Sequence, residues 1–239
     1  MLINEIFTLI KVIKMKSWKI SGKDAEYIRN TPITSSIYLQ LSEISEAIRR
    51  NAHYAYGVLI DIGSGNVPYK KFFEPFVKKY FTIDIPDFDG KKPDIFGDAL
   101  NLPIKDNSVD TAFSSQVMEH IAYPQKMVDE IYRVLKPNGI CILSTHMANP
   151  LHGEPHDYFR FTKYGLKHLF RNFSKIEKIE ENGGALLSSM QFIIWGLSEK
   201  LPGFLSLPIT VLLNILSKKF DKIFYDPRFT TNYVIVARK

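Results

Sequence analysis

From residue 36 onward, short apolar runs and longer helical stripes take turns along this chain. Runs at 58–62 (VLIDI), 80–84 (YFTID), 93–96 (PDIF), 109–114 (VDTAFS) and 139–145 (GICILST) read as strands. The stretches between them, such as 116–135 (QVMEHIAYPQKMVDEIYRVL), carry helical spacing. Strands alternating with helices predict a parallel, doubly wound sheet, and the unbroken apolar character of Val58 to Ile60 suits a strand covered on both faces. A helix over 36–50 (SIYLQLSEISEAIRR) leads into the first strand. After the fifth strand the chain turns polar and aromatic, then gives a sixth strand at 175–181 (KIEKIEE) and a seventh at 232–239 (NYVIVARK).

Two uncharged runs, 182–198 and 201–217, interrupt this pattern before the last strand. Each has 17 residues, about 25 Å as helix against a hydrocarbon core of roughly 30 Å, and Pro202 and Pro208 are expected to shorten the second. A membrane span is therefore disfavoured. From Ile209 onward, Leu212, Leu213, Leu216, Phe220 and Ile223 share one helical face, with Lys218, Lys219 and Lys222 off it. Such a face can pack on the sheet, lie on a membrane, cover a substrate pocket or pair with a second subunit. At the N-terminus, residues 1–18 place Ile3, Ile6, Phe7, Ile10 and Ile13 at helical spacing; the lysines follow the apolar part and Glu5 interrupts it, so an amphipathic helix packed on the protein is expected rather than a signal peptide. The organisation expected is one domain over 1–239: a helical cap at 1–55, a core at 56–184 and 225–239, and a hydrophobic helical insertion at 185–224.

Composition adds little. Among 239 residues, 31 Lys and Arg against 25 Asp and Glu leave a formal charge of +6, scattered except at Lys11 to Lys19 and Lys218 to Lys222, so no nucleic-acid partner is expected. Cys141 is the only cysteine; no intrachain disulfide or cysteine-rich zinc site can form, which fits a reducing cytoplasm.

The chemistry starts at the first strand, which ends in Asp61 and runs into Gly63, Ser64 and Gly65. A glycine turn there lets a ligand approach the backbone, and two ligand classes suit it: dinucleotides and S-adenosylmethionine. The dinucleotide fingerprint needs a third glycine where this chain has Pro68, and no G-K-S or G-K-T follows to make a P-loop. Asp84 lies 21 residues past Gly63 at the end of the second strand, where a carboxylate can accept from both ribose hydroxyls of either ligand. A nicotinamide oxidoreductase remains a poorer reading.

Five pieces in order resemble the class I S-adenosylmethionine-dependent methyltransferases, in particular those acting on small molecules, glycans and lipids. They are DIGSG (61–65), TIDIP (82–86), GDALNLPIKDNSVD (97–110), SSQVMEHI (114–121) and EIYRVLKPNGICILST (130–145), and the likeness covers roughly residues 55–180 and the last strand. The resemblance implies a seven-stranded Rossmann-like sheet, mostly parallel with an antiparallel last strand, and S-adenosylmethionine as cofactor. It places Asp61, Gly63, Ser64 and Gly65 toward the methionine part, Asp84 and Ile85 at the ribose, Gly97, Asp98 and Ala99 at the adenine, and Ser115 and Gln116 along the same crevice. Val67 stands where many members have a third glycine, and Asn138 where a glycine pair is usual.

Methyl transfer is an in-line displacement that positioning can largely catalyse, but a hydroxyl acceptor also needs a general base. Candidates at the ends of strands four and five are His120, His146 and the segment 152–161 (HGEPHDYFRF). His152 and His156 are four apart, yet Gly153 and Pro155 argue against a helix that would join them at a metal, so no metal is expected. His156 or His152 is expected as the base, with Asp157 fixing its tautomer or contacting the acceptor; the alternative is that all three anchor the loop. By resemblance, in the stretch PHDYFRFTKYGL (155–166) Arg160 is structural and Tyr158 faces the pocket, while His120 is read as ordering the loop after strand four. The acceptor taken forward is a hydroxyl of a sugar, glycolipid or other small molecule, with a quinone-like or other lipid as an alternative. A membrane-associated module that binds the cofactor without catalysing stays open as a different class. The place expected is the cytoplasm, with residues 185–224 supplying peripheral membrane contact or a homodimer interface.

Overall fold

A computed structural model describes residues 25–86 and 92–239; the amphipathic helix expected over 1–18 lies outside them. Seven strands form one sheet: β1 (Gly57–Ile62), β2 (Val77–Asp84), β3 (Ile95–Phe96), β4 (Val109–Ser115), β5 (Leu135–His146), β6 (Lys175–Asn182) and β7 (Asn232–Arg238). Their order is β3-β2-β1-β4-β5-β7-β6. The first five run parallel, and β7 is antiparallel to both β5 and β6. The chain thus walks outward from β1 to β3, returns, and walks outward again from β4, so the carboxyl ends of β1 and β4 flank a topological switch point where ligands of doubly wound sheets bind.

The helices are α1 (Ala25–Arg29), α2 (Tyr38–Asn51), α3 (Lys70–Phe73), α4 (Pro124–Val134), α5 (Lys163–Leu169), α6 (Ala185–Lys200) and α7 (Gly203–Phe220). The chain gathers into two compact units, one holding residues up to Glu43 with Gly183–Phe229, the other Ile44–Asn182 with Thr230–Lys239.

In the larger unit, Ile60 and Ile62 of β1, Ile83 of β2, Leu143 of β5 and Ile235 of β7 are buried with Met127, Ile131 and Val134 of α4 and Leu166 and Phe170 from α5 and its end. Burying each such side chain contributes about 1.5–3 kcal/mol. The helix read over 116–135 is corrected to Pro124–Val134. Gln116 turns the chain at φ 58° after β4, a short 3-10 turn spans Met118–His120, and Pro124, which has no N–H to give, opens α4 at its first turn. Likewise β5 begins at Leu135 rather than 139: Leu135 pairs with Val109 ahead of a register shift, after which Ile140 pairs with Thr111.

Val67 sits at φ 55° and Asn138 at φ 68°, so both positions where the resemblance has glycine do use the left-handed conformation. Asparagine tolerates it; a β-branched valine is strained. We therefore expect Val67→Gly to stabilise the fold by about 1 kcal/mol, read as a melting temperature higher by about 2–4 °C.

In the smaller unit, α6 and α7 form a hairpin tied at its open end. Asp221, just after α7, accepts from the backbone N–H groups of Gly184 and Leu187 at the start of α6 (2.8 Å each), capping that helix. The second helix differs from expectation in two ways. Pro208 does not end it: the chain stays helical from Gly203 to Phe220, and the carbonyl that Pro208 leaves without a bond belongs to exposed Phe204, where water can serve it. Moreover its buried stripe is polar. Ser206, Thr210, Asn214 and Ser217 face inward, while Phe204, Leu205, Leu207, Leu212, Ile215 and Leu216 are exposed. Hydrogen bonds hold it this way: Asn214 Nδ2 donates to the carbonyls of Ile33 (2.7 Å) and Ser35 (3.1 Å), and Ser217 donates to Leu213 O (2.7 Å). Among the described residues, α7 is the one helix long and apolar enough to cross a membrane by length and composition.

Candidate active site

The turn after β1 is built by backbone geometry. Gly63 and Gly65 adopt φ of 70° and 51°, and the N–H groups of Gly63 and Ser64 both donate to Ile83 O on β2 (2.8 and 3.2 Å). A side chain at Gly63 would also place its Cβ 2.3 Å from Val117 Cγ2, so glycine is required there for both reasons. Gly65 N–H donates to Asp84 Oδ2 (2.7 Å), while Ile85 N–H donates to Oδ1 (2.9 Å). These two amides aim the Asp84 carboxylate across the mouth of the turn, and each oxygen keeps a lone pair for a ribose hydroxyl. Ile85, 58% exposed, offers an apolar surface next to it.

The adjacent loop begins where Gly97 N–H donates to Asp84 O (3.0 Å). A Cβ on Gly97 would lie 2.6 Å from Pro103 Cδ, so this loop too needs glycine. Asp98 accepts from Leu100 N–H through Oδ1 (2.8 Å) and is otherwise exposed, with Ala99 buried behind it. Oδ2 of Asp98 is thus available to an exocyclic amine.

Asp61 is placed differently from its neighbours. It is buried, and the Tyr80 hydroxyl donates to its Oδ2 (2.6 Å). Burial raises its pKa from 3.8 to about 7, against the Tyr80 bond and with help from nearby Asp84. The same burial, together with Asp61, drives the Tyr80 hydroxyl far up. Between pH 4 and 7 the folded chain thus holds a proton that the unfolded chain has lost, so stability falls as pH rises through that window and levels off above it. Urea unfolding across this range is expected to show a decline of up to about 4 kcal/mol from this group, removed in Asp61→Asn.

At the switch point, Gln116 is less a crevice wall than a bridge. Its Nε2 donates to Ser144 Oγ on β5 (2.6 Å) and to Asn232 Oδ1 on β7 (2.8 Å), and Asn232 Nδ2 donates onward to Asn182 Oδ1 (2.8 Å). Ser115 stands at the end of β4 beside the buried hydroxyl of Tyr69. Ser144 and Asn232 were not legible as site residues; an asparagine opening an apolar strand is the one trace they leave.

The loop after β5 is locked by Arg160. Its Nη1 and Nη2 donate to Asp157 Oδ1 (2.6 Å) and Oδ2 (2.8 Å), Nε to Asn149 O (3.0 Å), and Nη2 to Pro150 O (2.8 Å). Arg160 holds the Asp157 carboxyl far below its usual range. Asp157 also accepts from His152 N–H (2.9 Å), but its Oδ2 is 3.6 Å from His152 Nδ1, too far to fix a tautomer. Both Arg160 and Asp157 therefore position the loop. His156 is exposed, with Nδ1 3.0 Å from the Tyr158 hydroxyl. His120 Nδ1 donates to His156 O (2.6 Å), so this ring ties the 3-10 turn to the loop as the sequence suggests.

Beneath the loop lies a group the sequence reading missed, although it sits in the quoted MEHI. Glu119 is fully buried, its Oε2 accepting from Thr145 Oγ1 (2.8 Å) and its Oε1 3.5 Å from His146 Nε2. Burial raises its carboxyl to about 7 and pushes His146 well below 6.5, so the imidazole is neutral. The rings of His120 and His146 stand 4.7 and 5.1 Å from that of His152. The structure thus joins His152 to His120 and His146, whereas His156 pairs with Tyr158.

A parallel switch point with a glycine turn, a carboxylate at the end of β2 and a second acid on the next loop defines a Rossmann-like domain for an adenosine-containing cofactor. A family model described as a methyltransferase domain matches residues 60–143, the stretch from β1 to β5. An uncharacterized methyltransferase of Mycobacteroides abscessus is 40% identical over 72 residues, covering 30% of this chain and 25% of the relative. One from Mycolicibacterium gilvum is 33% identical over 84 residues, covering 35% and 30%. These matches span less than a third of the length of either relative. Among solved structures, an S-adenosylmethionine-dependent methyltransferase of Archaeoglobus fulgidus aligns with TM-score 0.54 at 17% identity over 85% of this chain and 97% of that one. A second, from Mesorhizobium loti, aligns with TM-score 0.53 at 16% identity over 84% and 100%. The cyclase SpnF shares the fold to a similar degree (TM-score 0.53, 17% identity, 89% and 93% covered), so the fold by itself does not set the reaction. Residues 60–143 thus match a methyltransferase domain model, and the chain shares the fold of S-adenosylmethionine-dependent methyltransferases of known structure.

Proposed function

We propose that the protein transfers the methyl group of S-adenosylmethionine to a hydroxyl of a sugar, glycolipid or other small acceptor, working in the cytoplasm at a membrane surface. The observation that carries the donor half is the Asp84 carboxylate fixed across the glycine turn by two backbone amides, with Asp98 on the next loop. Asp84 takes the ribose hydroxyls, Asp98 the adenine amine, and the turn at Gly63 to Gly65 the methionine end, near buried Asp61. The cofactor supplies an electrophilic methyl on a sulfonium that leaves as a neutral thioether. What the chain adds is position and, for a hydroxyl, a base. We assign the base to exposed His156, braced by the Tyr158 hydroxyl, and give His152 and Asp157 positioning roles.

On the acceptor side, the HDYFRFT stretch resembles that of glycan and glycolipid methyltransferases, and the apolar outer face of α7 supports contact with a bilayer. Lys219 and Lys222 are exposed beside that face, as suits anionic headgroups. Incubation with methyl-labelled S-adenosylmethionine and extracts of polysaccharide, glycolipid and quinone tests this reading. Label in a glycan or glycolipid that His156→Ala no longer produces supports it. Label in the quinone fraction moves the acceptor to another lipid, and cofactor binding without any labelled product leaves a non-catalytic binding module.

A further inference from the structure

We propose that Glu119, His120 and His152 form a binding site for one divalent transition-metal ion. Each residue offers a ligand atom, and the three atoms lie within 4.8 Å of one another. Donors around a tetrahedral zinc stand about 3.3 Å apart, so the cluster has to contract by an ångström or so on binding.

Two imidazoles and one carboxylate are a donor set that zinc and its first-row neighbours accept while keeping positions open for further ligands. More telling is how each donor is held. His120 Nδ1 faces the carbonyl of His156 (2.6 Å). A carbonyl only accepts, so Nδ1 carries the proton and Nε2 carries the lone pair, which is the tautomer a metal needs. In the tautomer in which His152 Nδ1 donates to Pro150 O (3.1 Å), Nε2 is left for coordination. Glu119 Oε2 is used by Thr145, while Oε1, buried with its residue at 0% exposure, makes no hydrogen bond among the described residues. Outer partners on the far atom of every donor are the usual way a protein orients metal ligands. The nearest donor to this buried oxygen, His146 Nε2, stands 3.5 Å away, which leaves it room for a ligand.

The loop is shaped to fit. Gly153, at φ 69°, lies so close to His120 that an added Cβ would be 2.8 Å from its Cε1, and the Arg160 clamp fixes His152 from the other side. Glu119 and His120 follow β4 directly, at the carboxyl end of the sheet. On the function proposed above, an ion held by these three residues would act as a Lewis acid toward an acceptor hydroxyl, while His156 would take that hydroxyl's proton. This role rests on that reading; ion binding does not.

The test uses the full chain, stripped with chelator and titrated with Co2+ by visible absorption and with Zn2+ by calorimetry, while S-adenosylmethionine binding and methyl transfer are followed in parallel. We expect one Co2+ per chain with visible d–d bands. We expect His120→Ala and His152→Ala to weaken it beyond the roughly 10–100-fold that loss of an outer partner costs. His168→Ala, on α5, leaves it unchanged. Should either alanine variant fold poorly, His120→Gln and His152→Gln keep the volume and remove the ligand. No saturable Co2+ binding by the wild-type chain, or binding that survives both histidine changes, overturns the site and leaves the cluster as a hydrogen-bonded brace. Bound metal without methyl transfer contradicts the proposed function and leaves the site standing; transfer that ignores the chelator, with no Co2+ bound, does the reverse.

Discussion

In Arg160→Ala the melting temperature falls by about 10 °C, from a loss of about 3 kcal/mol. The guanidinium makes two bonds to Asp157 and three to the carbonyls of Asn149, Pro150 and Phe159. The Asp157 side chain is 2% exposed, so removing its partner strands a buried charge. A lysine cannot match the two-pronged geometry, and Arg160→Lys recovers only part of the loss. Asp157→Ala combined with Arg160→Ala is expected to be less damaging than the sum of the two, because no charge is then left alone. The pH dependence follows from the depressed Asp157 carboxyl. Its contribution is complete above the unfolded value of 3.8 and is lost as pH falls below it toward the folded value. The gap between wild type and variant therefore holds down to about pH 4 and narrows below. Thermal melts at several pH values check both statements.

Asp84→Ala has the largest expected effect on the cofactor. The carboxylate is poised to accept from two ribose hydroxyls, and each charge-assisted bond contributes about 1.5 kcal/mol, so affinity for S-adenosylmethionine drops by about 100-fold. The variant also frees the N–H of Gly65, which loosens the turn. Asp84→Asn retains one acceptor and falls between. Because Asp84 is only half-buried, its replacement leaves the unfolding midpoint nearly unchanged, and calorimetric titration beside a thermal melt separates the two effects.

The parts of the molecule that repeat simple periods were readable before any coordinates. Val58 to Ile60, Ile140 to Leu143 and Tyr233 to Val236 are apolar because their strands are covered, and the glycines at 63 and 65 mark the turn that this cofactor can approach. Asp84 was readable for the same reason, since its place follows from the lengths of β1, β2 and the segment between them. What was hidden depends on how distant segments meet. Glu119 looks like an ordinary helix acid in MEHI until Thr145 and His146 close over it. The polar stripe of α7 cannot be told from an outer face until Asn214 is seen to bond the carbonyls of Ile33 and Ser35. Histidines 152 and 156 look like partners by spacing, yet the loop that the Arg160 clamp closes turns one toward His120 and the other toward Tyr158.

The central claim is that the turn after β1 holds S-adenosylmethionine. Titration of the purified chain with S-adenosylmethionine, with its demethylated product and with NAD in separate runs addresses it most directly. We expect saturable binding of the first two that is weakened about 100-fold in Asp84→Ala, and none of NAD. Binding of NAD in their place, or no binding of S-adenosylmethionine at concentrations up to about 1 mM, where even weak sites register, would contradict it.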